Sequence, residues 1–524
     1  MNPLPSTIFA LALAAPAAAQ CEQGPLEPHT DGLYLGVSAA LDGDTLAVGM
    51  WDATHEDFAG AVYVYVNQAG EWVEQAVLYP LDPHTNAKFG NAVALDGDTL
   101  LVGAENDNFN HSDSGAAYVF VRNGTTWTQQ QRIDPSDQGD HFGHSVALAG
   151  DMAVVGAPDD EDYGSLHTFV RSNGVWLPRA LLAPHDSWAG NGFGSALGLD
   201  GTRLLVGADL GWTPGVWESG AVYFYDWVAG AWQFDEKVFA EDPIIGTHFG
   251  FTASLDGDTA LIGAEGNHIG AAYVFERGDN GWEQQAKLEA LTLYEWYAEA
   301  LAVSGDTAVV GAWAEDGLGS SSGVVYVYDR VGSQWSLTTQ LRPHDGNEYD
   351  RFGQATALQG DTLAVGAPGA GSDLQGATYV YDLVGGGWSS YCVAAPNSSG
   401  PGAFMACHGS TSIADNDFWL HSSGSTPNNF GRYFYGPGQQ QLPFGNGFLC
   451  VDPGATGLFR LNPPIAADGT GYIERRVDFS APPAGGGDGA IEAGSTWFFQ
   501  LWYRDPAAGT GFNLSDGLSV TFCP

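Results

Sequence analysis

The sequence predicts an all-β protein built mainly from seven repeated four-stranded units closed into a ring. Three observations carry that prediction. The dipeptide Gly-Asp returns at Gly43-Asp44, Gly97-Asp98, Gly150-Asp151, Gly257-Asp258, Gly305-Asp306 and Gly360-Asp361, with Gly201-Thr202 as a variant. Successive glycines of this series lie 54, 53, 51, 56, 48 and 55 residues apart. The apolar residues between these markers alternate, as in VYVY at 62–65 and LAVG at 46–49, which is the period of strands and not of helices. A unit this short and rich in glycine cannot bury its own apolar face, so its copies must pack on one another; seven four-stranded sheets do so best as the blades of a β-propeller.

Each unit divides in the same way. Phe-Gly or a relative opens it eight residues before the Gly-Asp turn: Leu35-Gly36, Phe89-Gly90, Phe142-Gly143, Phe193-Gly194, Phe249-Gly250, Tyr297-Ala298 and Phe352-Gly353. The first strand runs from there into the turn. The second leads from the turn to a Gly-Ala-Pro-like element whose glycine is always six residues on, in full at Gly156-Ala157-Pro158 and Gly366-Ala367-Pro368. The third is the VYVY-type strand. The fourth begins near a tryptophan twelve residues beyond the third strand's glycine: Trp72, Trp127, Trp176, Trp232, Trp282, Trp335 and Trp388.

This Phe-Gly…Gly-Ala-Pro pattern resembles the FG-GAP repeats of integrin α-subunit headpieces and of many secreted bacterial proteins, over residues 34–390. The resemblance implies a seven-bladed propeller. Calcium-binding members of that family carry a D-x-D-x-D-G-x-x-D loop between the first two strands. Here only a tight turn stands in its place, as at Leu41-Asp42-Gly43-Asp44. An Asp-Gly hairpin needs positive φ, which accounts for those residues without a metal.

The termini read differently. MNPLPSTIFALALAAPAAAQ resembles a secretory signal peptide, with an apolar stretch at 8–19 and small residues before Gln20, although no Lys or Arg precedes it. Residues 1–19 are therefore assigned as signal peptide, 20–390 as propeller and 391–524 as a C-terminal β domain of sandwich type. Four of the five cysteines (Cys392, Cys407, Cys450 and Cys523) fall in that last segment, which marks it as disulfide-containing, with Cys392 and Cys523 placed to close it near its ends. Cys21 is left over, or pairs with Cys392.

The formal net charge is −45, and Lys88, Lys237 and Lys287 are the only lysines. Such a field repels nucleic acid and anionic lipid. No later apolar run is long enough to span a bilayer. The localisation expected is secreted, extracellular or at the cell surface.

In an antiparallel four-stranded blade, successive connections emerge at alternate ends. The spacings at the Gly-Asp end are invariant. At the other end, the distance from the Gly-Ala-Pro glycine to the third-strand glycine is 11, 12, 8, 13, 7, 12 and 10. Loops free to vary on one rim of a rigid scaffold are where recognition is built. Those loops carry Trp51, Asp52, Glu56 and Asp57; Asp107 and Asp113; Trp212 and Trp217; and Trp313, Glu315 and Asp316. Trp51, Trp212, Trp217 and Trp313 are the candidate ligand-binding residues, since aromatic faces beside carboxylates suit sugars or peptides. The densest acidic loop, Pro158-Asp-Asp-Glu-Asp-Tyr163, makes Asp159, Asp160 and Asp162 the candidate metal ligands, with Ca²⁺ as the cofactor oxygen donors of this kind could hold.

Histidines recur on the same rim, at His29, His84, His185 and His344 after proline and at His141 and His248 beside Phe-Gly. A catalytic group is needed once, not in most units, so these read as structural. No Gly-x-Ser-x-Gly, His-Glu-x-x-His or P-loop is present. The expected function is a secreted, non-catalytic binding or adhesion protein that presents this rim to an extracellular glycan or protein. The alternative is a polysaccharide-active lyase or hydrolase with its site in the central funnel. Its nearest sequence sign is the sixth unit, where Tyr294-Glu-Trp-Tyr-Ala-Glu299 replaces the usual Phe-Gly entry.

Overall fold

The computed structural model describes residues 19–522, apart from 30–31, 54–58, 109–113, 136–139, 161–162, 185–191, 213–215, 267–269, 291–295, 317–318, 344, 372, 387, 393, 401, 410, 412, 414–415, 417 and 508. The signal-peptide assignment therefore lies outside the described residues, except for Ala19. The fold is all-β, with one short 3₁₀ turn at Gly487–Gly489 among the described residues.

Seven four-stranded antiparallel sheets repeat along Glu22–Tyr381, one of the chain's two compact units, in a propeller-like arrangement. In the second unit of the repeat the strands are Val93–Asp96, Thr99–Ala104, Ala116–Asn123 and Thr126–Ile133. The second and third strands are buried almost throughout, as the glycine-spaced apolar runs require. Each sheet's first strand lies against the first strand of the next, and the seventh lies against that of the first.

The repeat's most constant residues hold sheet to sheet. Phe89, Phe142, Phe193, Phe249 and Phe352 are fully buried. Phe142 forms a parallel bridge to Gly115, the glycine that opens the preceding unit's third strand. Gly115 has φ +78°, and a Cβ there would stand 2.0 Å from the Phe142 carbonyl oxygen, so only glycine fits.

The Gly-Asp turns are hairpins, with φ between +55° and +58° at all seven glycines. Where an aspartate precedes the turn, in four units, it has a further role: it accepts a hydrogen bond from the turn glycine of the next unit. Asp42 Oδ2 accepts from Gly97 N (2.6 Å), Asp96 from Gly150 (2.5 Å), Asp200 from Gly257 (2.7 Å) and Asp256 from Gly305 (2.5 Å). Ser304 Oγ accepts from Gly360 N at 3.0 Å, and Gln359 Oε1 accepts from Gly43 N at 2.5 Å, which links the seventh turn to the first.

In several units the acid after the turn glycine is also occupied. Asp98, Asp151 and Asp306 accept from the Nε of Arg122, Arg171 and Arg330 at 2.6–2.7 Å. Those guanidiniums lie 5.1 Å over Trp127, Trp176 and Trp335. In these three units the recurring tryptophan is thus a platform for an arginine five residues before it, so these turns are committed to the array's own cohesion.

Two expectations are corrected. The seventh sheet does not take its fourth strand from near Trp388. Its outer strand is Ala19–Leu26, paired with Ala377–Gly386, while Trp388–Tyr391 pairs with the C-terminal strand Phe512–Thr521, Trp388 facing Val520. Cys392 bonds with Cys450 and not with Cys523, which lies outside the described residues; Cys407 is free and buried.

From Asp382 onward the chain belongs to the other compact unit. One sheet there joins Trp388–Tyr391, Phe512–Thr521, Thr496–Arg504, Phe430–Gly436 and Phe459–Arg460, with Ile465–Ala466 also paired to Phe430–Gly436. A three-stranded sheet joins Phe404–Gly409, Phe418–Ser423 and Ile473–Val477. Met405, Phe418, Leu420 and Val477 from the smaller sheet share one core with Tyr433, Tyr435, Phe499 and Leu501 from the larger.

Candidate functional site

The end of the repeat array opposite the Gly-Asp turns is built from two repeated positions whose residues vary from unit to unit. The first is the residue immediately before Phe-Gly: Tyr34, Lys88, His141, Gly192, His248, Trp296 and Arg351. All seven have positive φ, from +46° to +69°. Only Gly192 takes that conformation without strain, and each of the others costs of order 1–2 kcal/mol relative to glycine. Six units retain a large aromatic or ionisable side chain at a position where glycine would be more stable. Strain of this kind is characteristic of functional sites.

The second position follows the Gly-Ala element: Trp51, Glu105, Pro158, Asp209, Glu265, Trp313 and Pro368. The two positions meet across neighbouring units. Lys88 Nζ lies 5.3 Å over the Trp51 ring, and the Arg351 guanidinium 5.4 Å over Trp313. Two of the four expected tryptophans therefore occupy equivalent sites, each faced by a cation from the following unit. Trp51 is also 6.5 Å from Tyr34, and Trp313 is 5.9 Å from Trp296. The indole Nε1 atoms of both Trp51 and Trp313 are buried with no acceptor among the described residues.

Trp212 and Trp217, the other two, form a tilted pair at 6.2 Å. Trp217 is 69% exposed, and Ile244 and Ile245 in the following link are exposed as well, giving an apolar patch at this end.

Ionisable groups fill the positions between the tryptophans. Glu105 accepts from Lys88 at 2.6 Å and pairs with His144 Nδ1 at 2.7 Å. Burial opposes its ionisation, but the hydrogen bonds and charges of His144 and Lys88 outweigh it and hold the carboxyl at about 2. Glu299, one residue beyond the sixth unit's entry dipeptide, has no such support. Its Oε2 is buried without a hydrogen-bond partner among the described residues. Burial, and then the Glu265 carboxylate, push its pKa up to about 8 against the pull of Arg351. Asp209 is likewise raised by burial, while His248 is raised by its contact with Glu265 and by the charge of Asp209.

Other loop acids are structural. Asp107 is buried and accepts from Tyr118 Oη at 2.9 Å and Arg132 at 2.8 Å. Glu315 is buried and accepts from Tyr326 Oη at 2.6 Å. The histidines pair with carboxylates: His29 with Glu74 at 2.6 Å, His84 with Asp107 at 3.3 Å and His141 with Asp159 at 2.5 Å. His185 and His344 lie outside the described residues, as do Glu56, Asp57 and Asp113.

Of the candidate metal ligands, Asp159 is taken up by His141, and the Asp160 carbonyl accepts from Gly164 N within its turn. Asp162 lies outside the described residues. No group of three His, Cys, Asp or Glu side chains placed to hold a metal occurs among the described residues.

Lys88, Arg351, Glu265 and His144 were not singled out from the sequence, although a signal existed. A position that varies from unit to unit stands directly before the recurring Phe-Gly.

Arrangement and repeat together define an all-β, propeller-like repeat protein with a variable end. Residues 72–120, 127–169, 232–275, 282–328 and 335–381 match the FG-GAP repeat family model, so the chain carries five FG-GAP repeats. A search of curated proteins found no match. The solved structure titled "Structure of YjhT" is similar at 15% identity and a TM-score of 0.36, over 59% of this chain and 99% of that chain, too distant to support any functional argument.

Proposed function

We propose that this chain is a secreted or cell-surface binding protein in which a seven-bladed propeller presents its variable end to an extracellular glycan or protein. In this reading a small disulfide-containing β-sandwich follows the propeller. The observation that carries it is the left-handed residue before Phe-Gly, kept large in six of seven units at a cost in stability. Stacking surfaces at Trp51, Trp313 and Trp217 beside cations and carboxylates suit a sugar ring or a peptide. The Cys392–Cys450 disulfide is compatible with an oxidising compartment. Among the described residues no helix is long and apolar enough to cross a membrane.

Nucleic acid is not expected as a partner of a chain with net charge −45. Calcium would enter only as an addition at the Asp159–Asp160–Asp162 loop, and a rise in Tm on calcium addition that Asp160→Ala abolishes would demonstrate it.

A glycan-array screen followed by Lys88→Gly and Arg351→Gly separates recognition from folding. Both variants should hold or raise Tm, by relief of positive φ, while weakening binding to the hits by about tenfold or more. Unchanged binding in both variants would refute the reading.

A second reading, a polysaccharide-active enzyme with its site in the funnel, is favoured by Glu299 alone, because a carboxyl protonated at neutral pH can serve as a general acid. Product release from the array hits, lost in Glu299→Gln, would establish it; binding without turnover would exclude it.

A further inference from the structure

The unit that runs from Asp382 carries a groove of its own. Strand alternation divides the larger sheet's residues between its two faces. Tyr433 and Tyr435 with Leu501 and Tyr503 point into the core. Phe430, Arg432 and Phe434 with Trp502 and Arg504 point the other way. Register places Arg432 opposite Trp502, Phe434 opposite Arg460, Trp502 opposite Leu514 and Arg504 opposite Phe512.

The hairpin Gly438–Phe444 and Gly447–Asp452 covers only part of this face, where Leu449 packs with Phe434 and Leu514. The uncovered part holds two adjoining cavities of about 540 and 510 Å³ that share Pro464 and Trp502. Phe444 at one wall and Phe430 at the other are about half exposed. Phe512 stands 5.8 Å from Phe444 and 5.9 Å from Trp502, so the floor is aromatic. The volume is that of a site for a small molecule.

Charge distinguishes this groove from a bare apolar face. Seven of the repeat array's nine arginines, Arg122, Arg132, Arg171, Arg203, Arg277, Arg330 and Arg342, each meet a carboxylate. Arg432, Arg460 and Arg504, which line the two cavities, meet none among the described residues, in a chain with 62 acidic side chains. Arg432 is part-buried, and its charge, after burial, lowers the proton affinity of the neighbouring Arg475. Unpaired guanidiniums beside aromatic rings call for a ligand that supplies both a carboxylate and an apolar body.

We propose that this groove binds a small amphipathic carboxylate, an apolar ring or short chain bearing one carboxylate. The acid engages Arg432 and Arg460, and the apolar body lies against Trp502 and Phe444. Neither proposal depends on the other.

The test uses the full chain and two probes of equal shape, 3-phenylpropanoate and 3-phenylpropanol, measured by titration calorimetry. The carboxylate should bind about tenfold or more tightly than the alcohol. Arg432→Gln with Arg460→Gln should bring the carboxylate down to the alcohol's level and leave alcohol binding unchanged, which a misfolded groove would not do. Phe444→Ser should weaken both. Equal affinity for the two probes, no binding of either, or a preference that survives the double arginine variant would overturn the proposal. So would a concentration-dependent dimer that the double arginine variant dissociates, since the groove would then be filled by a second copy.

Discussion

At the scale of single residues, the glycines sort by what a side chain would meet. Gly97 has φ +56° and nothing within 4 Å of a built Cβ, so Gly97→Ala costs only the left-handed conformation, about 1 kcal/mol. Gly115 combines φ +78° with the Phe142 carbonyl at 2.0 Å. Gly115→Ala must therefore separate two sheets as well, and its loss should be at least about 2 kcal/mol larger. Urea denaturation of the two variants measures the difference, and equal losses would mean the Phe-Gly bridge does not hold the sheets together. Glu299 gives a second prediction. Its pKa is raised in the fold from the ordinary 4.5 to about 8, so the folded state holds a proton that the unfolded chain releases. The protonated form's full contribution to stability is present below about 4.5 and is lost as pH rises through about 8. Glu299→Gln, which cannot lose that proton, should gain in Tm relative to the parent as pH is raised from about 5 to about 9. A constant difference across that range would show that Glu299 is ionised throughout.

At the scale of elements, the strand Ala19–Leu26 completes a sheet whose other strands lie more than 300 residues away in sequence. Ala377–Gly386 would otherwise present an unpaired edge. A chain beginning at Gly32 should show faster hydrogen exchange across Ala377–Tyr381 than the full chain, with the second to fifth sheets unchanged. Equal protection there would mean the edge is satisfied by something other than the N-terminal strand. The missed strand shows what the repeat made legible. The motif's fixed positions recur at locked spacing in seven units, so the sheets, hairpins and variable loops follow from the sequence. AQCEQGPL is a single copy without a clear alternating pattern, and nothing local ties it to the seventh unit. The turn-to-turn hydrogen bonds were hidden for the same reason: Asp42 and Gly97 are related only once neighbouring sheets stack. Trp51 and Trp313 were recognisable as variable-loop aromatics, but Lys88 and Arg351 come to them from the next unit, so their pairing has no signature within one repeat.

At the scale of the whole molecule, two units are held by different means. The array between Glu22 and Tyr381 is closed by backbone pairing and by hydrogen bonds that run from turn to turn. Its cysteine-free repeats gain nothing from oxidation. The unit from Asp382 contains the Cys392–Cys450 bridge, which closes a loop spanning 58 residues. Closure of such a loop restricts the unfolded chain and is worth about 4 kcal/mol by chain entropy. Cys407, by contrast, is buried in the apolar core, which pushes its thiol well above the ordinary range and leaves it a poor nucleophile for disulfide exchange. Cys392→Ser with Cys450→Ser should therefore lower the thermal transition of the C-terminal unit and leave that of the repeat array in place, as calorimetry with near-ultraviolet circular dichroism would resolve. The same variant tests the groove's scaffold, since Tyr391 donates to the Cys450 carbonyl at 2.8 Å and the hairpin carrying Phe444 ends in the strand that holds Cys450. Its preference for 3-phenylpropanoate should survive at temperatures below the lowered transition, because Arg432, Arg460 and Trp502 stand on strands that the disulfide does not join. Loss of that preference in the still-folded variant would place the bridge in the binding site and not merely in its support.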